Sequence, residues 1–300
     1  MFRKEYTNQV QLLLRVLPIV NRQSCFALKG GTAINMFARN MPRLSVDIDL
    51  AYLQLKERNT ALAEIADSIE AIAWAIEQEM PELKVQRKSK SYKLLVVAPT
   101  AQIKIEPNTV FRGAIHEPSL AVLCDNAQEE FEQFVKCNML SIADLYGSKI
   151  CAALDRQHPR DLFDVHLMLE KIGLTDDIRT AFVIYLAGHP RPIAEILQPN
   201  EQPLEDIFAK QFAGMSREPV ELETLIQTRR QIVELIQSDL SNSERRFLLS
   251  LKQGTPDWQL LPVPHLAQLP AIQWKLRNIE RMPKDKHAES LQKLQRVLGL

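Results

Sequence analysis

The segments that decide the fold of this chain are LKGGTAIN at residues 28–35 and RLSVDIDL at residues 43–50. An apolar run, Cys25–Leu28, precedes the glycines, and residues 33–39 after them have helical composition. This order predicts a strand, a tight glycine turn and a helix. Because glycine has no Cβ, the backbone can approach a ligand there, and the unpaired N–H groups that begin the helix favour phosphate oxygens. The Thr32 hydroxyl would add another donor.

The second segment alternates polar and apolar residues. Ser45, Asp47 and Asp49 share one parity, and the residues between them are apolar. Period two is strand periodicity, so both carboxylates are expected on one face. Two carboxylates held that close repel each other unless a cation lies between them, and hard oxygen ligands suit Mg²⁺ bound to a triphosphate. The pair therefore predicts a Mg²⁺ site.

Together, the glycine turn and the aspartate strand resemble the signature of the DNA polymerase β superfamily of nucleotidyltransferases. More closely, KGGTA at residues 29–33 followed by RLSVDIDL resembles the AbiEii-type nucleotidyltransferase toxins of bacterial abortive-infection systems. The sequence departs mildly from the family pattern, because Pro42 and Ser45 crowd the approach to Asp47. The resemblance implies that Asp47 and Asp49 bind the metal and are catalytic, and that the nucleotide is bound by Lys29, Gly30, Gly31, Thr32 and Ser45.

A third carboxylate completes the metal site in this superfamily, where it lies on a neighbouring strand and also activates the attacking hydroxyl. Glu106, in QIKIE at residues 102–106, is the position that resembles it. The resemblance therefore implies a metal role for Glu106. The alternative is that Lys104 and Glu106 form the solvent-exposed face of an edge strand.

The family pattern also contains a lysine and an Arg-Asp pair that begins the following helix. Lys149 and Arg160-Asp161, with Asp164 behind them, match this pattern in order and in local sequence. The resemblance implies that Lys149 and Asp161 are catalytic near the triphosphate and that Arg160 binds the nucleotide. The same residues could be ordinary charges on helix surfaces, and the sequence leaves this alternative open.

The order of predicted elements indicates an α+β fold. Helices are predicted over residues 5–20 and 57–79, strands over 83–87, 93–98, 101–106 and 119–124, and helices replace strands after residue 125. With the resemblance, this gives a polymerase-β-like nucleotidyltransferase domain with a small mixed sheet at residues 1–130. A helical domain at residues 131–300 would follow and contribute Lys149 and Asp161 to the cleft.

Composition limits the classes of function. The 37 basic residues are balanced by 37 acidic ones, so a generally basic nucleic-acid binder is not indicated and any RNA contact needs a local patch. The basic run at residues 84–93 could be such a patch or an ordinary solvated hairpin. The four scattered cysteines lack a C-x-x-C pair, which argues against zinc and fits reduced thiols in the cytoplasm. No apolar run approaches the roughly 18 residues of a membrane span.

The resemblance implies a Mg²⁺-dependent enzyme that transfers NMP from NTP to an RNA acceptor, expected to be tRNA, and releases pyrophosphate. It would be the toxin of a toxin–antitoxin or abortive-infection system and would have a cognate antitoxin. Two alternatives remain open. The same motifs serve transfer to a protein hydroxyl or a small molecule, and a non-catalytic nucleotide-binding module could retain the fold.

Overall fold

The computed structural model describes residues 2–300, apart from the side chain of residue 89. The chain divides into two compact units. Unit 1 contains the residues up to Leu145 together with Phe212–Val220, and unit 2 contains Tyr146–Gln211 and Glu221–Leu300. Unit 1 holds a mixed sheet and unit 2 is helical, which confirms the predicted α+β class.

Unit 1 is built on one mixed sheet, in which the described residues form seven strands in the order β3-β4-β5-β2-β1-β7-β6. β2 lies at its centre, antiparallel to β1 and parallel to β5. The strands predicted from the sequence are all present. The bounds are β1 Phe26–Lys29, β2 Asp47–Tyr52, β3 Lys84–Lys88, β4 Lys93–Ala98, β5 Ala101–Asn108, β6 Ser119–Val122 and β7 Lys136–Met139.

The helices of unit 1 follow from apolar spacing and caps. They are α1 Lys4–Val20, α2 Gly30–Thr32, which continues as a wider helical turn over Ala33–Ala38, α3 Arg58–Glu79 and α4 Asp125–Phe131. Val10, Leu13 and Leu17 recur at helical spacing on α1 and are fully buried. The Glu57 carboxylate caps α3 by accepting from the backbone N–H groups of Asn59 and Thr60. The predicted helices over residues 5–20 and 57–79 are therefore confirmed.

The expectation that helices replace strands after residue 125 is wrong at β7. This strand has only four residues, of which Cys137 and Met139 are buried and Lys136 is exposed. Two buried positions are too few for a period-two pattern to stand out. β7 pairs with β1 and β6, so the sheet continues past residue 130, where the sequence suggested the end of the first domain.

A segment from much later in the chain also belongs to unit 1. The backbone N–H of Leu44 donates to the carbonyl oxygen of Met215 at 2.8 Å, and Arg43 forms an isolated antiparallel bridge with Ser216. Phe212–Val220 thus supports the loop that precedes β2.

Unit 2 consists of helices with clear end signals. Pro159 begins α6, Thr175 caps α7, and α11 has a capping box between Ser241 and Glu244. The bounds are α5 Ile142–Arg156, α6 Pro159–Lys171, α7 Asp176–Ala187, α8 Ile193–Leu197, α9 Glu205–Gln211, α10 Leu222–Asp239, α11 Asn242–Gln253, α12 Pro270–Glu280 and α13 Lys284–Leu298. The first residues of α5, up to Leu145, belong to unit 1. Over residues 2–300, no helix is both long and apolar enough to cross a bilayer.

Candidate active site

The first strand passes directly into a helix at Gly30. Gly30 has φ +70°, a left-handed conformation that strains any residue with a Cβ. A Cβ built there would lie well inside van der Waals contact with Oδ2 of Asp49, whose Cα is the register partner of Lys29. The tight turn thus brings the start of the helix against the Asp49 carboxylate.

Asp47 and Asp49 lie on β2 as the alternation predicted. Both are partly exposed, whereas Ile48 between them is fully buried and Leu50 is nearly so. Residues i and i+2 of a strand point to one face, so the two carboxylates share the solvent-accessible face of the central strand. The same face of the sheet also carries the glycine turn, because Asp49 contacts Gly30.

Glu106 lies beside Asp49 on the neighbouring strand. β2 and β5 are parallel, with Asp47 opposite Lys104 and Asp49 opposite Glu106. Register partners in adjacent strands project to the same face, so Glu106 joins the face of the aspartate pair. Its Oε1 lies 3.3 Å from Nζ of Lys93, and both side chains are partly exposed. The third carboxylate thus has a cationic neighbour of its own.

Thr32, Ser45 and Arg43 form a buried support behind the glycine turn. The Thr32 hydroxyl donates to the backbone oxygen of Asp47 at 2.6 Å and lies 3.0 Å from the Ser45 hydroxyl. Thr32 is fully buried. This hydroxyl therefore ties the helix that starts at Gly30 to the aspartate strand, which differs from the sequence-based expectation of a direct phosphate donor.

Arg43 is the residue of this support for which the sequence pattern indicates no role. Its guanidinium is almost completely buried and donates to the carbonyl oxygen of Leu44 at 2.9 Å. A Cβ on Gly31 would lie 2.8 Å from both Arg43 Nη2 and Ser45 Oγ. The signal that could have identified Arg43 is its place at the start of the second segment, although its burial depends on contacts distant in sequence.

The donor set on β2 fits a metal that arrives with a nucleotide. In the part of the chain that the structure describes, no three or more His, Cys, Asp and Glu side chains are grouped so as to hold a metal by themselves. Mg²⁺ is usually bound by one or two carboxylates and completes its shell with water and substrate phosphates. Asp47 and Asp49 match that requirement, and a closed protein cage is not needed.

Unit 2 contains the other predicted residues in a buried ionic cluster. Nζ of Lys149 on α5 lies 2.8 Å from Oδ1 of Asp161 and 3.0 Å from Oδ2 of Asp164, both on α6. Arg156 Nη2 also donates to Asp161 Oδ1, at 2.9 Å. Lys149 is 5% exposed and Asp161 1%, so the alternative of solvated surface charges does not hold for them. Arg160 lies in the first turn of α6, where its backbone N–H donates to His158 Nδ1.

The cluster strongly favours ionised Asp161. Burial alone would raise the pKa of this carboxyl, but the charges of Lys149 and Arg156 and their hydrogen bonds outweigh burial and hold the pKa well below its ordinary value. Lys149, Asp161, Asp164 and Arg156 together carry two positive and two negative charges. The cluster is therefore balanced, and Arg156 is its exposed member, with 62% of its side chain accessible.

The start of α5 is fixed by Asp144, a second buried residue to which the sequence assigned no functional part. Its backbone N–H donates to the Ser141 hydroxyl, as a helix start with a serine cap requires. The Asp144 carboxylate accepts from the backbone N–H groups of Ile115 and His116. It therefore fastens the loop that follows β5.

Comparison with known proteins shows the family to which the chain belongs. The family model described as nucleotidyl transferase AbiEii toxin, type IV toxin–antitoxin system, matches residues 11–278. No curated protein matches significantly. Among solved structures, the chain is similar to MenT4, a nucleotidyltransferase toxin from Mycobacterium tuberculosis H37Rv, with a TM-score of 0.63 and 15% identity over 92% of this chain and 95% of that one. At that identity the likeness shows a shared fold, whereas the family match covers most of the chain. The chain belongs to the AbiEii family of nucleotidyltransferase toxins of type IV toxin–antitoxin systems.

Proposed function

We propose that this toxin transfers NMP from a Mg²⁺-bound NTP to an RNA acceptor, which we take to be tRNA, and releases pyrophosphate. The observation that carries the proposal is the contact of the Gly30 turn with Asp49, next to Asp47 on the same strand face. A helix start favours phosphate oxygens, and the aspartate pair favours the metal that accompanies them. The arrangement supports binding of a nucleoside triphosphate at the edge of β1 and β2.

In this proposal Asp47 and Asp49 hold the metal, which, when bound, neutralises charge on the phosphates during transfer. The backbone of Gly30 and Gly31 seats the β- and γ-phosphates. An acceptor hydroxyl attacks the α-phosphorus, the bond from that phosphorus to the bridging oxygen breaks, and pyrophosphate leaves. Glu106, beside Asp49, assists by binding the metal and activating the hydroxyl. Catalysis is then mainly positioning and charge stabilisation.

Thr32 and Ser45 act through the position of Asp47. Because the Thr32 hydroxyl donates to the backbone of Asp47, it fixes the distance between the phosphate-binding turn and the metal-binding strand. Lys29, the last residue of β1, is half-buried and opposite Asp49 in register, and we assign it to the nucleotide.

We assign Lys149, Asp161 and Arg160 to transfer as well. The support is the family match, whose range includes these residues, and the burial of the three charged side chains of Lys149, Asp161 and Asp164. Burying charges is costly unless they are paired, and a buried ion pair contributes little net stability, so a cluster of this kind is a candidate for a functional part. Asp161 orients Lys149, and Lys149 stabilises charge on the triphosphate.

The RNA acceptor is supported by the family resemblance and by the basic run at residues 84–93. Within it, Arg87 is paired with Glu70 and Glu77, and Lys93 with Glu106. Lys84, Lys88 and Lys90 are exposed and form no ion pair within 4 Å among the described residues. Their charges are thus available for phosphate contacts along an RNA backbone. We place the reaction in the cytoplasm, in agreement with four free thiols, and expect a cognate antitoxin.

The acceptor is tested by following the label. Purified toxin, Mg²⁺ and α-labelled NTP are incubated with separate fractions of tRNA, other RNA, cell protein and small metabolites. Label in the tRNA fraction is the expected result. If the label is found only in protein or only in a small molecule, that molecule and not RNA is the acceptor. If no fraction is labelled, the result favours a non-catalytic module.

Gly30→Ala is expected to reduce transfer at least tenfold, because the new Cβ must displace the Asp49 carboxylate or move β1 away from β2. The left-handed φ adds strain of roughly 1–2 kcal/mol. Gly173→Ala is a matched control, since Gly173 has φ +78° and nothing within 4 Å of an added Cβ. Transfer rates and thermal melting are compared for both variants. Equal losses of activity in the two would mean that strain, and not the contact with Asp49, limits the enzyme.

A further inference from the structure

Unit 2 contains a cavity whose lining includes none of the residues assigned to nucleotide transfer. Its volume is about 180 Å³, and its walls come from the start of α8 and from α11, α12 and α13. Ile193, Ala194, Ile279 and Leu294 supply buried apolar surface. An engineered apolar cavity of about 150 Å³ binds benzene, so this cavity has room for a molecule with one aromatic ring.

Two buried lysines also line the cavity. Lys252 on α11 is 8% exposed and Lys275 on α12 is 9% exposed. Nζ of Lys275 donates to the backbone oxygens of His189 and Arg191, both at 2.7 Å. The acceptor of Lys252 Nζ is the thioether sulfur of Met282 at 3.7 Å, which is a weak acceptor. The Lys252 ammonium is thus buried with much less hydrogen bonding than a charge normally requires.

Neither ammonium group forms a direct ion pair in the part of the chain that the structure describes, although the charge of Glu195 partly opposes the shift in the pKa of Lys275. Among the described residues, no carboxylate lies within 4 Å of either Nζ, and Glu195 in the lining is 3.3 Å from Arg191. Burial and the charge of Lys252 lower the pKa of Lys275 to about 8, and burial lowers the pKa of Lys252. Each ammonium group therefore disfavours the charged form of the other. A bound anion between them would offset the cost of burying the two charges and reduce their mutual repulsion.

We propose that this cavity binds a small organic anion with a compact apolar body, of which an aromatic carboxylate and an aryl phosphate are the simplest forms. The apolar walls of α8, α12 and α13 accept the body of the ligand. The ammonium groups of Lys252 and Lys275 accept the anionic group. Few polar groups in an otherwise apolar pocket are typical of small-molecule sites, in which the polar groups fix orientation and the walls exclude water.

The test is calorimetric titration of the full chain with benzoate and with phenyl phosphate. Benzyl alcohol and benzylammonium, which have the same ring without the negative charge, are the comparison ligands. We expect saturable binding of at least one anion, and binding of the neutral and cationic ligands to be at least tenfold weaker. The preferred anion shows whether the natural ligand carries a carboxylate or a phosphate.

Lys252→Met separates binding from stability. Methionine removes the charge but keeps an unbranched apolar stem, so the variant should be as stable as the wild type or more so, because a poorly paired buried charge is lost. Binding of the anion should nevertheless fall at least tenfold. Lys286→Met, which removes an exposed lysine of α13 outside the cavity, should bind normally. If Lys252→Met does not fold, Ser290→Leu, which fills the cavity from α13, should abolish binding instead.

Three results would overturn the proposal. The first is that neither anion binds the wild type. The second is that benzyl alcohol binds as tightly as the anions, since the cavity would then lack charge selectivity. The third is undiminished anion binding by a folded Lys252→Met or Ser290→Leu variant, which would place the anion elsewhere.

Discussion

Asp49→Asn is expected to lower the rate of nucleotide transfer by about 10³-fold or more, because it removes one of the two carboxylates that bind the metal. Asparagine has the size and shape of aspartate, so the contact with Gly30 is preserved while the charge is lost. The free energy of unfolding should change little. Without metal, repulsion from Asp47 on the same strand face and from neighbouring Glu106 is relieved by the substitution.

Asp67→Asn is the matched control, since it makes the same change on the exposed surface of α3. Single-turnover transfer rates and thermal melting should be measured for both variants. We also expect the wild type to slow growth when it is expressed, and Asp49→Asn to lift that toxicity. Transfer at the wild-type rate in Asp49→Asn would remove the metal assignment, and equal toxicity of the two proteins would indicate a non-catalytic effect.

Lys149→Met is expected to destabilise the protein by about 3–5 kcal/mol, the usual cost of leaving a buried charge without its partner. The substitution removes the ammonium that lies between the buried carboxylates of Asp161 and Asp164. Chemical denaturation followed by circular dichroism measures this loss. A free energy of unfolding within about 1 kcal/mol of the wild type would mean that the cluster is not formed as described.

The double variant Lys149→Met/Asp164→Leu separates stability from catalysis. It replaces one buried ion pair by apolar side chains and leaves Asp161 paired with Arg156, so most of the lost stability should return. If Lys149 acts on the triphosphate, the activation free energy of transfer should stay above that of the wild type by on the order of 2–4 kcal/mol, even though the fold is restored. Recovery of transfer together with stability would show that Lys149 has only a structural part.

The local part of the candidate site could be predicted from the sequence because its signals are local. Two glycines between an apolar run and a helix, followed by strict alternation around Asp47 and Asp49, specify strand, turn and strand without reference to the rest of the chain. The position of Glu106 beside Asp49 was implied by the family resemblance, and the parallel pairing of β2 with β5 now gives it a geometric basis.

The features that the sequence did not reveal depend on contacts between distant residues. Burial of Lys149 against Asp161 requires the packing of two helices, and the same amino-acid sequence would also be compatible with a solvated helix surface. Burial of Arg43 requires the loop before β2, which is supported by Met215 and Ser216 from more than 170 residues later. β7 was missed because a four-residue strand carries too little periodicity.

If the glycine turn and the aspartate pair position an NTP for attack at its α-phosphorus, the NMP is joined to RNA and the β- and γ-phosphates leave together as pyrophosphate. The most direct measurement uses one NTP labelled in turn at the α- and γ-phosphate, with tRNA and wild-type toxin, in the presence of Mg²⁺ or a chelator. We expect the α-label to become covalently bound to tRNA only with Mg²⁺, and the γ-label to be released as pyrophosphate. Covalent attachment of γ-label to the RNA, or α-label transfer that persists fully in the chelator, would contradict this mechanism.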